Sequence, residues 1–237
     1  MNEIFIQNPR RQSFQIFKDK LAQVLTDIGQ PYDPEKALIM PYLVRVHTPL
    51  VNGRSSYGLD LVTGTSTLLG VEKKMEKSDI FMIQSIGLGI QKYDPTSPDF
   101  AGPIFNYPDP VYFTAATAAQ LNKIYEGKLS LKVGSQTMID SLDNLLLKFV
   151  PNGNFAGTIA SPTDLAEVGA SNEARGLQDL GSYPILIGDN KNQVEISLAP
   201  GTIDAIAGSG TGANNLVFLA LGWVYRGFVG SNGQCSI

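Results

Sequence analysis

The sequence predicts a mainly β protein: a jelly-roll-type β-sandwich, single or compact double, with one N-terminal amphipathic helix and long loops between its strands. Three observations predict it. After one N-terminal stretch with helical spacing, nearly every apolar segment alternates with period two. Near the C-terminus, Leu216 to Tyr225 is a run of ten uncharged residues. It is too short for the roughly 20 residues of a membrane-crossing helix and is rich in side chains that favour a pleated surface. Between these segments lie stretches marked by proline, glycine and small polar residues, which suit connections.

The helix comes first. In SFQIFKDKLAQVLTDIG, Phe14, Phe17, Leu21, Leu25 and Ile28 recur at three- and four-residue spacing, with Ser13 placed as N-cap and Gly29 as C-cap. Pro31 and Pro34 then break the pattern, which divides the chain into a helical arm, 1–30, and a β domain, 31–237. If the sandwich is double, its seam falls near 153–181. The helical stripe is too apolar to remain in water, and the break lets it swing to a neighbouring subunit. Its own sandwich and a lipid surface are the alternatives, the latter favoured only by Arg10, Arg11, Lys18 and Lys20 beside it.

The strands follow. MPYLVRVHTPL puts Leu43, Arg45 and His47 on one face and Val44, Val46 and Thr48 on the other. YGLDLV comes next, and in DIFMIQSIGLGIQK the residues Ile86, Leu88 and Ile90 alternate with Gly87, Gly89 and Gln91. KLSLKV turns Leu129, Leu131 and Val133 inward, and NQVEISL does the same with Val194, Ile196 and Leu198. The final run, Leu216 to Tyr225, reads as a strand buried on both faces, with Gly222 marking a bulge or a close backbone approach. Asn214 and Asn215 read as turn residues closing a flexible hairpin in GSGTGANN. The proline-rich stretch 93–113 and the polar stretch 152–181 read as long irregular loops, with a short helix from Ala115 to Tyr125 ended by Gly127.

Composition narrows the function. Charged residues are 17%, below the ~25% of ordinary soluble domains, and such a surface suits a protein covered by copies of itself and equally a plain loop-rich β domain. A net charge of -4 provides no positive field for phosphates, so direct nucleic-acid binding is not expected. One cysteine, Cys235, forms no intrachain disulfide, and the start MNEIFIQNPRRQ has no apolar signal region, so folding in a cytosol is expected.

Catalytic sets fail one by one. His47 is the sole histidine, so any conventional triad would need it as base; its place in an alternating strand suits a structural or interface role better. One histidine and one distant cysteine make no zinc site. The glycines after 207 lack a following Lys-Ser/Thr and lead into a strand, which is no phosphate loop. No cofactor is therefore expected. Calcium is the alternative that Asp94, Asp99 and Asp109, or Asp189 with Asn190 and Asn192, would serve, against their ordinary role in turns. Phe100, Phe105, Tyr107, Tyr112 and Phe113 crowd the proline-rich stretch, either anchoring it to its own sheet or stacking on a sugar.

IYEGKLSLKVGSQTMIDSLDNLLLKF and NNLVFLALGWVYRGF resemble the strand-rich segments of jelly-roll capsid and other virion proteins of tailed and membrane-containing bacteriophages. The resemblance implies a non-enzymatic structural subunit, trimeric or pseudo-hexameric, made in a host cytoplasm and resident in the virion beside other virion proteins. Loops would form its inter-subunit contacts. The expected interface residues are Phe14, Phe17, Leu21, Leu25 and Ile28 on the helix and Phe105, Tyr107 and Tyr112 in the aromatic stretch. A ligand-binding β module, with a carbohydrate ligand, is the second reading.

Overall fold

The structure is a computed structural model that describes residues 9–33, 37–63, 72–149, 176–201 and 204–226. Helix α1 (Pro9–Asp27) precedes β1 (Leu38–Pro49), β2 (Ser56–Asp60), β3 (Asp79–Asp94) and β4 (Ser97–Phe105). Two short helices, α2 (Pro110–Phe113) and α3 (Ala115–Leu121), lead through a 3-10 turn to β5 (Lys128–Val133) and β6 (Gln136–Asp143). The chain ends with β7 (Leu177–Asp179), β8 (Ile185–Ile187), β9 (Asn192–Ser197) and β10 (Ala213–Arg226).

Two antiparallel sheets pack face to face. One has the order β1-β10-β3-β4, with β7 and β8 also on β3; the other has the order β2-β9-β5-β6. The pairing follows one rule: first strand with last, second with second-last, β3 with β7 and β8, and β5 with β6. A long hairpin rolled up on itself gives this order, which is the jelly roll. β3 is long enough for three short partners end to end: β8 at Ile80–Met82, β7 at Ser85–Gly87 and β4 from Ile90 onward.

The period-two segments meet in the core between the sheets. Val44, Val46, Ile86, Leu88, Ile90, Leu129, Leu131, Val194, Ile196 and Phe218 all belong to one buried cluster, the inner-face interdigitation expected of a sandwich. β10 lies between β1 and β3. Its inner residues Leu216, Phe218 and Ala220 join that core, and on its other face Val217 and Leu219 pack with Ile104. A strand flanked on both edges and covered on both faces has no place for charge, which explains the uncharged run. The register shifts at Gly222, where an added Cβ would lie 1.8 Å from the Met82 carbonyl oxygen.

Four expectations need correction. Ser13 is no cap: it lies inside α1, fully buried, donating to Gln84 Oε1 (3.4 Å) and accepting from Trp223 Nε1 (3.2 Å). The helix starts earlier because the apolar spacing marks only where it touches the sheet. Gly29 does end it, at φ +71°, with Gln30 N–H donating to Leu25 O and Gly29 N–H to Thr26 O, the Schellman pattern. Asn214 and Asn215 are not turn residues; they open β10 and are buried. The proline-rich stretch is no loop throughout, since β4 runs through Pro98 and Pro103, which an edge strand tolerates because its outward N–H needs no partner. The stretch 152–181 ends in β7 instead of continuing as loop. Its residues up to 175, including most of the expected seam, lie outside the described residues, as does Cys235.

Candidate functional site

The helical stripe is covered by its own sheet. Phe17, Leu21 and Leu25 are buried with Ile80 and Met82 of β3, while Ile28 packs at the margin of the same cluster with Trp223 and Tyr225 of β10. The Phe14 ring lies 4.9 Å from Trp223. The expectation that Phe14, Phe17, Leu21, Leu25 and Ile28 form a subunit interface is therefore corrected for the residues at the centre of the stripe: Phe17, Leu21 and Leu25 have no surface left to offer. The physical reason lies in β3 and β10, whose outer faces carry Ile80, Met82, Trp223 and Tyr225 where the helix lies and need a cover there.

The aromatic stretch also turns inward. Phe105 is buried, with its ring 4.6 Å from Tyr112, 5.7 Å from Phe113 and 6.2 Å from Tyr107. Lys92 Nζ sits 4.6 Å from the Tyr112 ring centre, where a cation is attracted to the π face. Asp109 organises the turn: it accepts from Val111 N (2.7 Å), Tyr112 N (3.2 Å) and the Tyr107 hydroxyl (2.9 Å). Burial, and then the Asp109 hydrogen bond and charge, push the Tyr107 phenol well above its ordinary value. Tyr107 and Tyr112 are half-buried, and their cluster is filled by its own residues.

The charged candidates are held in structural roles. Asp94 accepts from Thr96 N (2.8 Å) and Thr96 Oγ1 (2.6 Å), and these bonds lower its carboxyl. Asn192 is buried and donates to Ile187 O (2.8 Å) and Asn190 O (3.0 Å). Asp79 is buried at the start of β3 with Arg226 Nε 3.6 Å from its Oδ1; burial raises its carboxyl, opposed by the Glu76 N–H and by Arg226. Among the described residues, no group of three His, Cys, Asp or Glu is placed to hold a metal. His47 is buried on the outer face of β1. Burial, and next the Arg45 charge, lower its imidazole from 6.5 to about 4.

Among the described residues, most of the large apolar side chains that remain exposed lie at one end of the sandwich. Strand directions bring the β1–β2, β3–β4, β6–β7 and β9–β10 connections to that end, and the β4–β5 connection returns to it at Lys128; there β1–β2, β4–β5, β6–β7 and β9–β10 are tied together. Asn52 Oδ1 accepts from Ala207 N (3.0 Å), Ala199 N donates to Lys123 O (2.9 Å), Asn144 Nδ2 donates to Ile124 O (2.8 Å), and Lys148 Nζ reaches Asn122 Oδ1 (2.7 Å). On these connections stand Val51, Val111, Leu145 and Leu146, exposed by 47, 66, 57 and 58%. They are four of the six large apolar side chains exposed among the described residues.

Leu145 and Leu146 escaped the sequence reading for a geometrical reason. The run Asn144–Leu147 forms a 3-10 turn whose start Asp143 caps by accepting from Leu145 N (2.9 Å). With three residues per turn, positions i and i+3 share a face. Asn144 and Leu147 therefore go inside and the two leucines between them face outward. A run of three leucines carries no signal of which turns in.

No protein-family model matches the chain, and no curated protein or solved structure matches it.

Proposed function

We propose that this chain is a structural subunit that self-associates through the loop end of its jelly roll, as a trimer, within a virion or comparable protein shell. The observation that carries the reading is the set of Val51, Val111, Leu145 and Leu146, apolar side chains exposed together at the end where four tied connections meet. Exposed apolar side chains on neighbouring connections at one end suit a contact surface. A charge content of 17% supports the same reading, since a surface shared between copies needs few charges. Jelly rolls occur in viral capsid proteins and also in lectin domains and cupins, so the fold alone does not choose between them. The loop end favours the first. Against a carbohydrate-binding module stands the aromatic cluster, whose rings pack on one another and on Lys92. Against a hydrolase stands His47, the sole histidine, which is buried and whose ring nitrogens meet neither a nucleophile nor an orienting carboxylate among the described residues.

Static light scattering on the purified full-length chain tests the proposal. A mass three times that of the chain or larger supports it, with a buried interface above the ~1,000 Å² of specific contacts. A monomer at high micromolar concentration removes it.

A further inference from the structure

A group of buried polar atoms on the outer face of the first sheet lacks protein partners. Both ring nitrogens of His47, both amide atoms of Asn215 and Oε1 of Gln91 are unbonded, on side chains of residues exposed by 3, 0 and 4%. They are neighbours. Asn215 of β10 stands directly opposite Gln91 of β3, and His47 of β1 stands opposite Val217, two residues along β10 on the same face. The Gln91 side chain approaches the imidazole as a weak hydrogen-bond partner that favours its protonated form, yet the approach does not reach full hydrogen-bonding geometry at either ring nitrogen. Other buried asparagines with one vacant atom, Asn144, Asn192 and Asn214, hold a backbone carbonyl with their side-chain nitrogen. The side chains of His47 and Asn215 hold nothing.

Buried polar groups almost always find a partner, and where the protein supplies none, ordered water does so, making about three hydrogen bonds. The chemistry of the group selects the occupant. Asn215 Nδ2 and one ring nitrogen donate; Asn215 Oδ1, Gln91 Oε1 and the other ring nitrogen accept. None of the three side chains is a carboxylate, and the nearby Arg45 charge disfavours further positive charge at the ring, so a metal ion is a poor fit. An anion would meet as many lone pairs as donors. An uncharged molecule that both donates and accepts fits all five atoms.

We propose that His47, Gln91 and Asn215 form a buried site for ordered water that bridges β1, β10 and β3 on the outer face of the first sheet. The water selects the imidazole tautomer and ties together three adjacent strands of the sheet at a place where their side chains do not complete one another's hydrogen bonds. The site is independent of the assembly reading. Its test is NMR on the isotope-labelled full-length protein, measuring cross-relaxation from water to the Asn215 side-chain amide protons and the His47 ring N–H. The expected result is cross-peaks of the sign given by long-lived bound water at both residues, loss of the His47 cross-peak in Asn215→Leu, and a lower melting temperature for that variant. Absence of the cross-peaks in the unaltered protein overturns the proposal, and so does an Asn215→Leu chain that melts above it. If that variant does not fold, the unaltered protein alone decides.

Discussion

At the scale of the residue, His47 makes the clearest pH prediction. Its imidazole has a folded value of about 4 against 6.5 when exposed. Below pH 6.5 the unfolded chain takes up a proton that the folded chain refuses until about pH 4, so the unfolded state binds more protons throughout that window. Stability is therefore full above pH 6.5 and falls as the pH drops to about 4, by roughly 3 kcal/mol. Denaturant titrations at several pH values should show this slope in the unaltered chain and a flatter one in His47→Gln. Equal slopes would show that His47 is solvated. The sequence placed His47 in an alternating strand, and there it is. Its burial on the outward face was not legible, because that face of β1 would be solvent-exposed in a sandwich with uncovered sheets. The unmet amide of Asn215 and the unmet Oε1 of Gln91 were equally hidden, since a residue type does not say whether its amide is met.

Elements show where pattern sufficed and where it failed. β10 was legible as a doubly buried strand because its uncharged run is too short to span a membrane and rich in valine and aromatic residues that favour a pleated surface, and Gly222 within it was legible as a close approach. Phe218, in the core, should cost about 3 to 5 kcal/mol on replacement by alanine. Leu221, half-buried on the opposite face, should cost only about 1 kcal/mol. Chemical denaturation of the two variants compares them directly, and equal losses would contradict the face assignment. Gly222→Ala drives a methyl into the Met82 carbonyl and should cost about 3 kcal/mol or more. Gly58→Ala meets only the movable end of Gln193 and should stay within about 0.5 kcal/mol. Helix α1 was legible as amphipathic, but its partner was not: periodicity identifies a face that must be covered and leaves the cover unnamed. With Phe17, Leu21 and Leu25 against Ile80 and Met82, deletion of residues 1–30 should leave the outer face of β3 and β10 bare and produce aggregation or unfolding. A soluble truncated chain with unchanged circular dichroism and melting would place the helix outside the core.

For the whole molecule, the jelly roll follows from the pairing of first strand with last and second with second-last, an order that alternation within each strand cannot reveal. The class of fold was readable from local pattern, but the loop end was not. Val51, Val111, Leu145 and Leu146 are far apart in sequence and come to one end only once the hairpin has rolled up. The 3-10 geometry after β6 then turns the two leucines outward. Association through this end is the central claim, and sedimentation velocity on the full-length chain beside the double variant Leu145→Asp, Leu146→Asp tests it most directly. Both side chains are more than half exposed, so the variant should keep the circular dichroism and melting of the unaltered chain. The expected result is an oligomer for the unaltered chain and a monomer, or a mass that falls steeply on dilution, for the variant. An unaltered chain that sediments as a monomer, or a variant that associates as strongly as its parent, would contradict it.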